Sequence, residues 1–269
     1  MFRCLRAVPV AVWLLAVSAC GGSTATSPTT PDNPSPTPTV TITPSGPNWS
    51  FRTEGHSGMG ILSPSGSSST LTALEGAFNP SGAAITAVLN PFGSCFNSDQ
   101  DRARFTGTRT GQTVQLQSQP LNAQVIQLSG TLSATGGVFE GTYSITGGCG
   151  DGRSGRVTGR AVNLTGIWSG TFGEIPTVID LQAAGTPDAN SNYTLSGSVT
   201  FSNTSCFPNA TITRHTRGRV LFPDVVSGTQ RLELIAEVTE DASTMLISFV
   251  IVTGSCAELS QGEGRLVRQ

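Results

Sequence analysis

Few residues in this chain have the types and spacing that chemistry requires. GHSGMG (55–60) sets His56 before Ser57 in a Gly-x-Ser frame, the opening of a hydrolase nucleophile elbow. An elbow also needs glycine where Met59 stands, a strand before the serine and a helix after it, and the chain continues ILSPSGSSST. Ser57 therefore reads as a loop serine. His215 is the only other histidine and holds a non-equivalent place, so both histidines read as loop or surface residues. NSDQD (97–101) spaces Asn97, Asp99 and Asp101 as a calcium loop does, but Arg102 stands at the glycine position and Thr108 at that of the bidentate glutamate. The segment reads as a solvated loop. No two cysteines have the close spacing of a zinc site. No metal, cofactor or catalytic residue is expected.

Arginine is the remaining candidate. The chain has no lysine, which excludes Schiff-base chemistry, a Walker phosphate loop and a Ser-Lys dyad. After Cys95 come Arg102, Arg104 and Arg109; after Cys206 come Arg214, Arg217 and Arg219. Arginines on one strand face can hold an anion by paired hydrogen bonds, which makes Arg102, Arg104, Arg214 and Arg217 a candidate anion site. The same residues also serve solubility and edge protection in a chain with no other cation. With 15 basic and 17 acidic groups and no polybasic segment, nucleic acid is not an expected partner.

The elements that must position these residues have a period of two. YTLSGSVTF (193–201) sends Tyr193, Leu195, Val199 and Phe201 to one face and Thr194, Ser196, Ser198 and Thr200 to the other. TVQLQSQ (113–119), VFEGTYSI (138–145) and RLELIAEV (231–238) alternate likewise, with Gly-rich turns between. MLISFVIV (245–252) is apolar on both faces, which predicts a central strand or one lying against the other half. No window carries a capped helical period. About seven or eight short strands fall in each half, and the fold expected is all-β: two tandem antiparallel barrels or sandwiches.

The halves echo each other. GSCF (93–96) pairs with TSCF (204–207), and SITGGC (144–149) with IVTGSC (251–256), in the same order, and Trp49 or Trp168 opens each half. This is an internal duplication over 47–163 and 164–269. The repeat selects Cys95 with Cys149 and Cys206 with Cys256 as disulfides, one per domain; a loop of this size is worth about 4 kcal/mol in the chain-entropy model.

The N-terminus supplies an address. Arg3 and Arg6 precede the uncharged apolar run AVPVAVWLLAV (7–17), which ends in Val17, Ser18, Ala19 and Cys20. This resembles the lipobox of bacterial lipoproteins. The resemblance implies a signal peptide over 1–19, a diacylated Cys20 as the new N-terminus, a membrane partner reached through that anchor and, with Gly21 next, the outer membrane of the cell envelope. Residues 20–46, rich in Pro, Ser and Thr, cannot build a core and read as a linker. Extended at about 3.1 Å per residue, it would hold the fold up to about 80 Å from the membrane.

LTGIWSGTF (164–172) places Gly166 two residues before Trp168, and this resembles the Gly-x-Trp opening of lipocalin and avidin type barrels, where the Trp plugs one end. The first half departs from the pattern, with Pro47 and Asn48 before Trp49. Two non-catalytic functions lead, and an enzyme, which would need an acid, a base and a nucleophile converging from distant positions, stands third. A protein-interaction or structural module predicts filled interiors with an exposed apolar patch or edge. A lipocalin-like module for a small ligand predicts an apolar cavity inside each barrel. Carbohydrate would have only Trp49, Trp168, Tyr143 and Tyr193 as platforms.

Overall fold

Alternation of inward apolar and outward polar side chains, repeated strand after strand, rolls this chain into two closed barrels. The computed structural model describes residues 41–54, 70–97, 99–254 and 262–269. The expected signal peptide, Cys20, most of the linker, the GHSGMG segment with His56 and Ser57, and Cys256 lie outside the described residues.

The first barrel runs β1 (Asn48–Thr53), β2 (Ala73–Asn79), β3 (Ala84–Phe92), β4 (Ala103–Thr110), β5 (Thr113–Ser118), β6 (Val125–Leu132), β7 (Val138–Thr146) and β8 (Ser154–Ala161), with a short 3₁₀ turn (Gly148–Gly150) before β8. The second runs β9 (Gly166–Phe172), β10 (Ile175–Ala183), β11 (Tyr193–Phe201), β12 (Ala210–Arg217), β13 (Val220–Ser227), β14 (Gln230–Val238), β15 (Thr244–Thr253) and β16 (Gly264–Arg268). Each strand pairs antiparallel with the next, and the last closes on the first, so the architecture is barrel and not sandwich. Closure leaves no free sheet edge on either ring.

Eight strands enclose a space that side chains alone can fill. In barrel 1 one inward row reads Leu74, Phe51, Gly159, Phe139, Leu132 across five strands. Gly159 is the gap in that row: the Phe51 and Phe139 rings meet edge to face at 5.6 Å, and a Cβ at Gly159 would stand 2.5 Å from Phe51. Trp49 stacks on Phe51 at 5.6 Å and meets Phe78 edge to face at 5.0 Å. Such pairs add about 0.5–1.5 kcal/mol each beyond the area they bury. Barrel 2 is filled by Trp168, Phe172, Leu181, Leu195, Phe201, Phe207, Ile212, Leu232 and Leu266 among others, and Trp168 donates its Nε1–H to the Leu164 carbonyl at 3.1 Å.

The expected Cys95–Cys149 disulfide is present, with Cα atoms 5.7 Å apart, and ties the end of β3 to the 3₁₀ turn. Cys206 is also disulfide-bonded. The expected linker ends earlier than Gly46: Ile42 and Pro44 are buried, the Ile42 carbonyl accepts from Arg104 Nη1 at 2.8 Å, and that of Gly46 accepts from Tyr193 Oη at 2.7 Å. Two buried residues and two carbonyls anchor a segment whose composition reads as unfolded.

Candidate interaction face

The outer face of β1 and β2 is where the first barrel should be polar and wet. Its residues Asn48, Ser50, Arg52, Glu75 and Ala77, which alternate with core positions, are instead all buried, because barrel 2 covers them. The two-residue turn between β12 and β13 presses onto them: Asn48 Nδ2 donates to the Gly218 carbonyl at 2.8 Å and its Oδ1 accepts from Gly218 N at 2.6 Å. Arg219 N donates to Glu75 Oε2 at 3.0 Å and Ser50 Oγ to Glu75 Oε1 at 2.9 Å. Arg52 bridges two carboxylates, Glu75 through Nη1 and Glu237 through Nη2 at 3.1 Å. Two cations, Arg52 and Arg219, thus balance Glu75 and Glu237 in a dry layer. Burial and the Arg219 charge bring the Arg52 pKa down to about 9 while Glu237 opposes them, so Arg52 stays cationic at neutral pH. The Arg219 nitrogens Nε, Nη1 and Nη2 are buried without a hydrogen-bond partner.

A second contact comes from the loop before β11. Ser191 Oγ accepts from Ala77 N at 2.7 Å and donates to the Val88 carbonyl at 2.6 Å, standing in for a rung between β2 and β3. Only glycine at position 76 admits it, since a Cβ there would lie 2.6 Å from that hydroxyl. Of these junction residues only Arg219 was marked by a pattern, that of the arginines following Cys206. Period-two alternation puts Glu75 and Arg52 on the outer face, and nothing local says that the outer face is covered.

The arginines singled out by sequence are dispersed. Arg104 donates to the Ile42 carbonyl, and Arg109 to those of Gly111 and Pro80 at 2.8 and 2.9 Å. Arg214 pairs with Asp224 at 3.2 Å on the outer wall of barrel 2, where Arg231 also meets Asp224 and Glu233. Only Arg102 and Arg217 come to one place, the 188–192 loop: Arg102 donates to the Asn190 carbonyl at 3.2 Å, and Arg217 to Asn192 Oδ1 at 2.5 Å while lying over the Phe222 ring. His215 is on β12, half-buried, not in a loop. Around NSDQD, Asp101 Oδ2 accepts from Asn97 N and Asn122 Nδ2, so that carboxylate builds the turn. Trp49, Trp168 and Tyr193 are buried and offer no platform to a sugar.

In barrel 2 the same face is bare. β9 and β10 correspond to β1 and β2, with Trp168 in place of Trp49, and the register equates Ile167 with Asn48, Ser169 with Ser50, Val178 with Glu75 and Asp180 with Ala77. Ile167 is 49% exposed, Val178 43%, Val267 45% and Leu246 38%; these are the exposed large apolar side chains of the described residues. They lie together. Val178 and Val267 flank Ser169 in one row across β10, β9 and β16; Ile167 is one step along β9, and Leu246 faces Arg265 one step from Val267. Cross-strand and diagonal neighbours on one face are about 4.5–8 Å apart, so the four form one patch, with Asp180, Thr171 and Arg265 at its rim. Leu246 belongs to the segment expected to be a central strand or to lie against the other half; β15 is paired on both sides, by β14 and β16, and Leu246 faces solvent. A separate groove of about 760 Å³ crosses the outer wall of β4, β5 and β6 and is lined by Thr106, Thr108, Gln115, Gln117, Gln127 and Ser129.

No family model matches the chain, and no curated protein or solved structure is significantly similar to it.

Proposed function

We propose that this chain is a lipid-anchored cell-envelope protein whose paired barrels act by protein interaction, through the outer face of β10, β9, β16 and β15. One observation carries the reading. Among the described residues, the interior positions of both barrels hold packed rings and aliphatic chains, as a structural module requires and a ligand cavity does not, while the exposed large apolar groups gather on one external face. The anchor rests on the lipobox resemblance at Cys20. A photo-crosslinking side chain at Val178, in the protein expressed in its own envelope, should yield a protein adduct that is absent when the same group replaces Thr142 on the far wall of barrel 1. Labelled palmitate should enter the wild type and not Cys20→Ala. No adduct at Val178, together with a small molecule that co-purifies and is released on denaturation, would overturn the interaction reading in favour of a lipocalin-like binder.

A further inference from the structure

Barrel 1 already shows what covers this face: another barrel of the same fold. We propose that the exposed face of β9 and β10 receives barrel 1 of a second copy of this chain, head to tail, as β1 and β2 receive barrel 2 within one chain. The inference rests on the interaction reading above and names its partner.

The docking elements of barrel 2 are the Gly218–Arg219 turn and the loop between β10 and β11. Barrel 1 has both counterparts. Its β4 and β5 pair through Thr110 and Thr113, leaving the two-residue turn Gly111 and Gln112; β12 and β13 pair through Arg217 and Val220 in the same way. Gly111 has φ 61° and Gly218 φ 54°. Gly218 is buried, whereas Gly111 and Gln112 are exposed, and a Cβ on Gly111 would meet nothing within 4 Å. Residues 80–83, the counterpart of the β10 to β11 loop, are exposed from Ser81 to Ala83. The plug of barrel 1 is therefore free, and so is the socket of barrel 2.

The chemistry of plug and socket has changed in step. Within the chain, the Gly218–Arg219 turn meets Asn48 and Glu75, and the 188–192 loop meets Arg102 through the Asn190 carbonyl and β2 and β3 through Ser191, so the contact is polar and charged. In the free pair, Gln112 replaces Arg219, and Pro80, Ser81, Gly82 and Ala83 replace the acidic loop. Opposite them Val178 replaces Glu75 and Ile167 replaces Asn48. An uncharged loop pair thus faces a sheet that is apolar except for Asp180 at the Ala77 position, whose carboxylate already accepts from Gln182 Nε2 at 3.3 Å. Because plug and socket are different surfaces, the contact is heterologous and propagates unless its rotation closes a ring. Copies tethered by linkers to one membrane would meet at raised effective concentration, which suits the micromolar affinity of a contact smaller than about 1,200 Å².

The test is sedimentation velocity on residues 20–269 carrying Cys20→Ser, so that acyl chains cannot drive association, over about 1–300 μM to bracket such an affinity. The wild type should grow past dimer as concentration rises. Val178→Asp removes the socket and Gln112→Asp the plug, and both positions are exposed, so folding should survive, checked by near-UV circular dichroism. Each variant alone should be monomeric, with association weakened at least tenfold. Their equimolar mixture should form a 1:1 dimer and stop, since one good plug and one good socket remain. A wild type that stays monomeric throughout would overturn the inference, as would a Gln112→Asp protein that still dimerises, which would mean face-to-face pairing. A monomer that instead floats with phosphatidylcholine and phosphatidylglycerol vesicles in a Val178-dependent way would assign the patch to lipid. A Val178 crosslink to a different envelope protein would sink this inference and leave the interaction reading standing; no crosslink at all would sink both.

Discussion

His215 stands on β12 with its ring against Phe222, centroids 5.3 Å apart. Burial first, then the positive fields of Arg217, Arg214 and Arg102, lower its pKa from 6.5 to about 4, with Asp188 alone opposing. Folding therefore excludes a proton that the unfolded chain accepts between those values, and stability must fall as pH drops from 6.5 toward 4 and level off below. A shift of this size corresponds to about 3.4 kcal/mol, which solvent screening at a half-buried ring reduces to about 2–3 kcal/mol. Urea denaturation at about pH 7.5 and pH 4 should show a larger loss for the wild type than for His215→Gln by roughly that amount. Parallel losses in the two proteins would mean that His215 titrates alike folded and unfolded. The sequence sets Arg214 and Arg217 beside this histidine; it does not show that Arg102, just before β4, joins them or that Phe222 covers the ring.

At the scale of elements, the strands were legible because alternation is a local signal: each inward side chain sits two residues from the next, and turn glycines punctuate the runs. The cysteine spacing also carried the pairing of the first half, and Cys95–Cys149 closes the loop that holds β4 to β7. Removing it should cost about 4 kcal/mol in the chain-entropy account, chiefly by freeing the unfolded chain. Cys95→Ala with Cys149→Ala, compared with the wild type in guanidinium, should lower the midpoint while leaving the β signature of far-UV circular dichroism intact. A change below about 1 kcal/mol would show that the unfolded loop is already compact. Two elements escaped the sequence for one reason. Ile42 is an isolated apolar residue with no periodic partner, and Leu246 lies in a run apolar on both faces; in neither case does alternation say which way the side chain faces.

The junction decides whether the molecule behaves as two barrels or one. Each barrel has its own aromatic core, so each can hold its shape alone. The layer of Arg52, Glu75, Glu237 and Arg219 opposes separation through bonds that cross the junction, Arg52 to Glu237 and Arg219 N to Glu75 among them; parting the barrels exchanges these for water, and each such bond to a charged group contributes about 1.5–3 kcal/mol net. Wild-type protein should then melt in a single transition with equal calorimetric and van't Hoff enthalpies. Gly218 is the point at which this coupling can be cut without touching either core. A Cβ there would stand 1.3 Å from Glu75 Oε2 and 2.8 Å from the Trp49 carbonyl, so the turn of a Gly218→Ala protein cannot seat between Asn48 and Glu75. The matched control is Gly111→Ala, which carries the same left-handed strain of about 1–2 kcal/mol with open space around it. Gly218→Ala should split the thermogram into two transitions, one per barrel, and Gly111→Ala should only shift the single one downward. If the wild type already melts in two independent steps, or if the two variants are indistinguishable, the buried charges do not couple the barrels, and a rigid pair could not serve as the repeating unit of a head-to-tail assembly.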